Sequence, residues 1–142
     1  MTRSSIAILA LSAFALAACE SEAERQADAT EDRLEQQAAQ SATAAGDEIA
    51  ALGLTERQLL DADLVAADGS ELGDVEQVRR DASGAVTALL VEVEDSEPDR
   101  YVEIPLTGLT VTQGGGLSDA DVQTSMTAQD LAALPDATIG PI

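Results

Sequence analysis

One thiol and a large set of carboxylates are the side chains in this sequence best able to do chemistry. There is no His, no Lys and no Trp, and all seven basic residues are Arg. The single cysteine, Cys19, closes the run Leu16-Ala17-Ala18-Cys19, where an apolar stretch meets Glu20-Ser21-Glu22-Ala23-Glu24. Zinc centres draw on Cys and His, and this inventory supplies neither in number. Asp61-x-Asp63-x-Val65 begins like a calcium loop but lacks the third ligand and the glycine that turns such a loop. Asp68, Glu71 and Asp74 flank a turn and read as a solvated hairpin end, as do Asp119 and Asp121. Hydrolysis by paired carboxylates needs a cleft and a platform for substrate, and a small domain with one tyrosine offers little of either. The run Gly114-Gly115-Gly116 precedes no phosphate-binding lysine and reads as a loop. The expectation is no catalytic residue, no metal ligand, no cofactor and no enzymatic activity.

Charge narrows the partners further. The chain carries a formal net charge of -20. The acid is spread over both halves, so no basic patch exists to meet a phosphate backbone, and nucleic acid is excluded as a partner. The same surface disfavours docking by charge onto anionic lipid. Phe14 and Tyr101 are the only aromatic residues. Any core must therefore be small and aliphatic, made of Val, Leu, Ile and Ala.

The elements that would position these residues begin with residues 1–18. Met1 to Ser5 carry one positive charge, Arg3, and Ile6 to Ala15 are apolar apart from Ser12. About ten apolar residues match the central part of a signal peptide and are too few to span a bilayer. Leu16-Ala17-Ala18-Cys19 resembles the lipobox of bacterial lipoproteins. That resemblance implies cleavage before Cys19 and its acylation, palmitate included, which leaves no thiol for disulfides or catalysis. A diacylglyceryl thioether with an added amide-linked chain anchors permanently, since two acyl chains already suffice for stable binding. In that family an Asp after the cysteine favours the inner membrane, and this chain has Glu20. The implied location is the cell envelope facing the periplasm, with the inner leaflet of the outer membrane favoured over the inner membrane.

Residues 19–53 then read as a lipidated cysteine plus an acidic helical tether. The stripe Leu34, Ala38, Ala42, Ala45, Ile49 and Leu52 has helical spacing and predicts an amphipathic helix over about 28–51. Being mostly alanine, the stripe suits either a solvated spacer or a helix that binds a partner or a second copy. Residues 54–142 change to short β segments. Thr55 caps a helical turn. Candidate strands follow at 62–66, 71–80, 86–94, 100–106, 109–113 and 121–126, and Thr127 caps a last short helix stopped by Pro135. The segment from Val86 to Glu94 is apolar on both faces at Leu90 and Val91, which predicts burial from both sides. Between Arg100 and Leu106, Val102, Ile104 and Leu106 point inward, with Tyr101, Glu103 and Pro105 opposite.

This order of strands and turns reads as a small, strongly bent sheet or barrel, and it resembles the PRC-barrel domain, shared by reaction-centre H subunits and ribosome maturation factors. The residues that carry the resemblance are Asp68-Gly69, Leu72-Gly73-Asp74-Val75, Val78, Asp81, Gly84, the strand Ala88 to Val93, Val102-Glu103-Ile104-Pro105-Leu106 and Met126 to Leu131 before Leu134-Pro135. The implied fold is mainly β: a small β-barrel preceded by the signal peptide and helical tether, with a short C-terminal helix. The family has no shared catalytic set, so what it implies is a docking surface. The expected function is a membrane-anchored envelope lipoprotein that presents this barrel to an unknown envelope protein. The alternative is a structural or stress-response protein acting by bulk and charge, with a carboxylate or metal-dependent enzyme ranked below both.

Overall fold

The structure, a computed structural model, describes residues 21–114 and 120–139. Residues 1–18, expected to be a signal peptide, and Cys19, Gly115, Gly116 and Asp119 lie outside the described residues.

Helix α1 runs from Glu22 to Ala45. It starts where it does because Ser21 caps it. The Ser21 hydroxyl accepts from the Glu24 N–H at 3.2 Å, and the Glu24 carboxylate accepts from the Ser21 N–H at 2.6 Å. It stops at Gly46, whose φ of 63° suits glycine. The helix therefore starts and ends about six residues earlier than the expected 28–51. The stripe is real in its first part, since Leu34, Ala38 and Ala42 are buried. Its last members belong to a hairpin instead: β1 (Ile49–Ala51) and β2 (Leu54–Thr55) join through Leu52-Gly53, both at positive φ. Leucine seldom adopts that conformation, so the sequence carries only half of the usual signal for such a turn.

Helix α2 (Glu56–Leu60) follows, capped by Thr55 and Gln58 acting reciprocally. Then come β3 (Asp63–Val65), β4 (Glu71–Arg80), β5 (Val86–Val93), β6 (Tyr101–Pro105), β7 (Thr110–Gln113), β8 (Ala120–Gln123) and α3 (Ala128–Ala132). The protein is mainly β, with a helix on the N-terminal side and a short C-terminal one. The six long-range strands form one sheet in the order β6-β5-β4-β3-β8-β7. β3 and β8 run parallel, and the other neighbours are antiparallel. β6 and β7 end this order, and no ladder joins them among the described residues. The sheet is nonetheless wrapped around one cluster: Leu64, Val75, Leu89, Val102, Val122 and the plugging side chains Leu59 of α2 and Leu131 of α3 pack together.

β5 is buried from both sides, as its sequence predicts. Leu89 and Val91 face the wrapped core, while Leu90 packs with Leu34 of α1 and with Tyr101, and all three β5 residues are fully buried. Tyr101 is set opposite Val102 as expected, but it is covered rather than solvated, because α1 lies over that face. The C-terminal segment covers the β6 edge. Asp136 bridges to Val102, and the Ala137 N–H donates to the Tyr101 carbonyl at 2.7 Å. Arg100 holds this segment through Asp136 at 2.7 Å and the Leu134 carbonyl at 3.0 Å, and Arg79 through the Thr138 carbonyl at 3.1 Å. Capping an edge in this way protects it from pairing with another chain.

Gly73 marks the tightest backbone approach. A Cβ there would lie 1.9 Å from the Glu92 carbonyl oxygen. Gly73→Ala is expected to cost about 3 kcal/mol or more. Leu90→Ala and Ile104→Ala each remove a buried side chain and are expected to cost about 2–5 kcal/mol. Glu103→Ala, on the exposed side of β6, is expected to stay within about 0.5 kcal/mol. Thermal melts followed by circular dichroism check these. Equal melting of the Glu103 and Ile104 variants would contradict the β6 register.

Candidate functional site

Strand register gathers acid on the outer face of the sheet. Asp63 of β3 stands opposite Asp74 of β4, Asp74 opposite Glu92 of β5, and Glu92 opposite Tyr101 of β6. Residues directly opposed across strands share one face, and like charges so placed repel. Three carboxylates and a phenol thus form one row. Glu71 adds to the row's end: one oxygen each from Asp63, Glu71 and Asp74 lie within 4.8 Å of one another. Asp121 on β8, buried, adds its charge beside Asp63.

Glu76 enters by another route. The β4–β5 register slips between Val75 and Gln77, which pair with the consecutive residues Val91 and Leu90. Glu76 is the extra residue of this bulge, half-buried beneath α1. Glu35, Ala38 and Ala42 of α1, Arg57 and Asp61 of the α2 region, and Asp74 and Glu76 line a cleft of about 420 Å³.

The crowding shows in proton affinities. Burial is the main cause that pushes Glu76 up to about 7, and the charges of Glu92, Asp74, Glu35 and Glu31 push the same way. Asp63 is raised by burial and then by Asp74 and Asp121, and Glu71 by burial and then by Asp63 and Glu94. Glu92 is raised by burial first and by Asp99 next. The Tyr101 phenol is raised by burial and by the Glu92 charge, and its hydroxyl lies buried with no hydrogen bond of good geometry. Asp68 behaves oppositely. It is solvated, and the Ser70 hydroxyl and N–H, donating at 2.7 and 3.0 Å, lower it.

Chemically, Asp63, Glu71 and Asp74 offer hard oxygen donors of the kind that magnesium or calcium takes, with water filling the remaining positions. Glu76 is the group poised to exchange a proton near neutrality. The sequence grouping of Asp68, Glu71 and Asp74 is thus rearranged. Glu71 and Asp74 do converge, but with Asp63, while Asp68 caps its own turn. Asp61, set beside Asp63 in the calcium-loop test, lies in the cleft below α1 instead. The register signal was present in the alternation around Leu64, but a strand of three residues is too short to announce its partner.

A second polar feature escapes sequence reasoning altogether. Glu56 is fully buried at the start of α2, with Oε2 2.6 Å from an Arg80 guanidinium nitrogen and Oε1 without a hydrogen bond. This pair ties α2 to β4. An acid in a first helical turn usually signals only a favourable helix dipole.

The chain matches no protein-family model, and no curated protein matches it. No helix among the described residues is long and apolar enough to cross a membrane.

Three experiments check this charge arrangement. Asp74→Asn, which relieves both cross-strand repulsions at once, should stabilise the protein by about 0.5 kcal/mol at pH 8 and low salt. The gain should shrink in 0.5 M NaCl, where screening acts within roughly 3–10 Å. Removing divalent cations with EDTA should leave the wild-type melting temperature unchanged, and a large drop would assign Asp63, Glu71 and Asp74 to a resident ion. Arg80→Ala, which strands Glu56 without its partner, should cost about 3 kcal/mol in the same melts.

Proposed function

We propose that this chain is a lipid-anchored envelope protein whose wrapped sheet serves as a non-enzymatic docking module for another envelope protein. The observation that carries the reading is the boundary at Cys19. An apolar run too short to span a bilayer ends in Leu16-Ala17-Ala18-Cys19, and an acidic chain begins at once. Acylation of Cys19 supplies the membrane attachment, and residues 1–18 are the address removed before it. The inner leaflet of the outer membrane is the location that Glu20 favours.

The PRC-barrel reading of the domain is supported by where its quoted residues sit. Asp68-Gly69 turn the chain from β3 to β4, with Gly69 at φ 84°. Gly73 permits the close approach of β5, the doubly buried strand supplies the core, and Thr127 with Asp130 caps α3. These residues build a scaffold, and a scaffold alone does not name a chemistry. The docking role rests on the absence of His and Lys from the sequence and on a single Cys that the anchor consumes. A second reading, in which the protein acts by bulk and charge, draws on the net charge of -20.

Cys19→Ser should stop palmitate incorporation and either release the protein from membranes or stall its processing. A Cys19→Ser protein that is still labelled and still sediments with membranes would remove the anchor from the proposal. Cross-linking in intact envelopes followed by affinity isolation separates the two roles. One stoichiometric partner supports docking, and its absence favours bulk and charge.

A further inference from the structure

The two edges of the six-stranded sheet are finished differently. At β6 the C-terminal segment bridges Val102 through Asp136, and the Ala137 N–H donates to the Tyr101 carbonyl. At β7 the only ladder among the described residues is the one with β8. Every other strand of this sheet has at least two buried residues, and β7 has none. An edge strand presents a row of unpaired N–H and C=O groups, and proteins usually blunt it with charge, proline or a bulge. Thr110-Val111-Thr112-Gln113 has no charge and no proline, and its register against β8 is unbroken. Val111 stands opposite Val122, so it shares the face of a fully buried core residue, yet it is 38 % exposed. The core face of the sheet thus reaches solvent at this edge.

Charge selects what can cover it. Residues 104–118 carry no charged side chain, the longest such run after Cys19, in a chain of net charge -20. A basic partner would be drawn to the acid elsewhere and gains nothing here. Two copies of this chain repel over most of their surfaces and can approach only where charge is missing. We propose that β7 is a self-association edge: two copies pair their β7 strands antiparallel about a two-fold axis, which joins the two sheets into one. The edge is self-complementary in the register centred on Val111, as a two-fold contact requires. Val111 then meets its own copy, and Thr110 meets Thr112, a Thr–Thr pair of the kind that stabilises neighbouring strands. The acid nearest the axis on this ladder is Asp121 of β8, opposite Thr112. It lies three strand spacings from its copy, roughly 14 Å. That exceeds the Debye length of about 8 Å at physiological ionic strength but falls well inside the roughly 30 Å at 0.01 M. A strand of four residues makes a small interface, so the dimer exchanges with monomer. The pairing does not depend on how the chain is attached to a membrane.

The test uses the full chain carrying Cys19→Ser, which leaves no other thiol, with single cysteines introduced on β7. Directly opposed residues of an antiparallel pair have Cβ atoms about 4.5–5.5 Å apart, near the reach of a disulfide, and diagonal ones about 7–8 Å. Under mild oxidation Val111→Cys should therefore form a cross-linked dimer at least about fivefold faster than Thr110→Cys or Thr112→Cys alone, whereas a mixture of those two should cross-link to each other. Glu103→Cys, exposed on β6, gives the rate of random collision. Dependence on position separates strand pairing from association through the apolar residues 6–15. Without added cysteines, sedimentation across a concentration series should show dimerisation tightening about tenfold from about 0.01 to about 0.15 M NaCl, the reverse of an interface held by ion pairs. Val111→Glu, which sets two carboxylates face to face, should abolish the dimer. A Val111→Cys rate no higher than that of Glu103→Cys, equal rates at positions 110, 111 and 112, or a chain that stays monomeric at both salts overturns the proposal. In the producing cells, a Val111→Cys cross-link to a different protein in place of the dimer gives the edge to that protein and overturns it as well.

Discussion

The structure depends on one strand being buried twice. With two aromatic residues in the sequence and one of them in the leading segment, the domain must make its core from aliphatic side chains. Wrapping the sheet hides Leu89 and Val91 but leaves Leu90 on the outside, and only α1 covers it. Fully burying a leucine is worth about 1.5–3 kcal/mol, a sizeable share of what holds a domain this small. Helix and sheet are therefore parts of one packing unit, although their compositions differ sharply.

That dependence conflicts with the charge. The outer face needed to seat α1 is also where strand register lines up Asp63, Asp74 and Glu92, and where the bulge inserts Glu76. Three of the arginines are engaged elsewhere. Arg80 is spent on Glu56, Arg100 on the C-terminal segment, and Arg79 on Gln77, Thr138 and, at 3.8 Å, Glu103. They work as structural ties at the margins of the sheet, joining α2 and the C-terminal residues to it. Desolvation and mutual repulsion are left standing at the α1 seam, where they raise Glu76 most visibly.

Much of this was legible in the residues. Alternation located Val102 and Ile104 inside and Glu103 outside, and the apolar run at Leu90 and Val91 announced two-sided burial. Thr55 and Thr127 announced their helices. The failures have physical causes. α1 begins earlier than its stripe suggests because a capping box, set by Ser21 and Glu24, outweighs the thin apolar signal. The stripe's spacing overruns the helix because β1 continues it with Ile49, which is exposed. The acid row could not be read along the chain, because it exists only across strands: its members are spaced by 11, 18 and 9 residues and share no local pattern. Burial of Tyr101 likewise depends on Leu34, more than sixty residues away in sequence.

The capping box has a consequence for geometry at a membrane. Ser21 fixes the start of α1 two residues beyond Cys19, and two residues span no more than about 7 Å even fully extended. The acylated Cys19 of our proposal would then leave almost no slack between the lipid and the first turn of α1. The helix itself is long, since its 24 residues reach on the order of 36 Å. On the proposed lipid anchor, the distance of the domain from the bilayer would therefore be set by the tilt of α1 and not by a flexible linker.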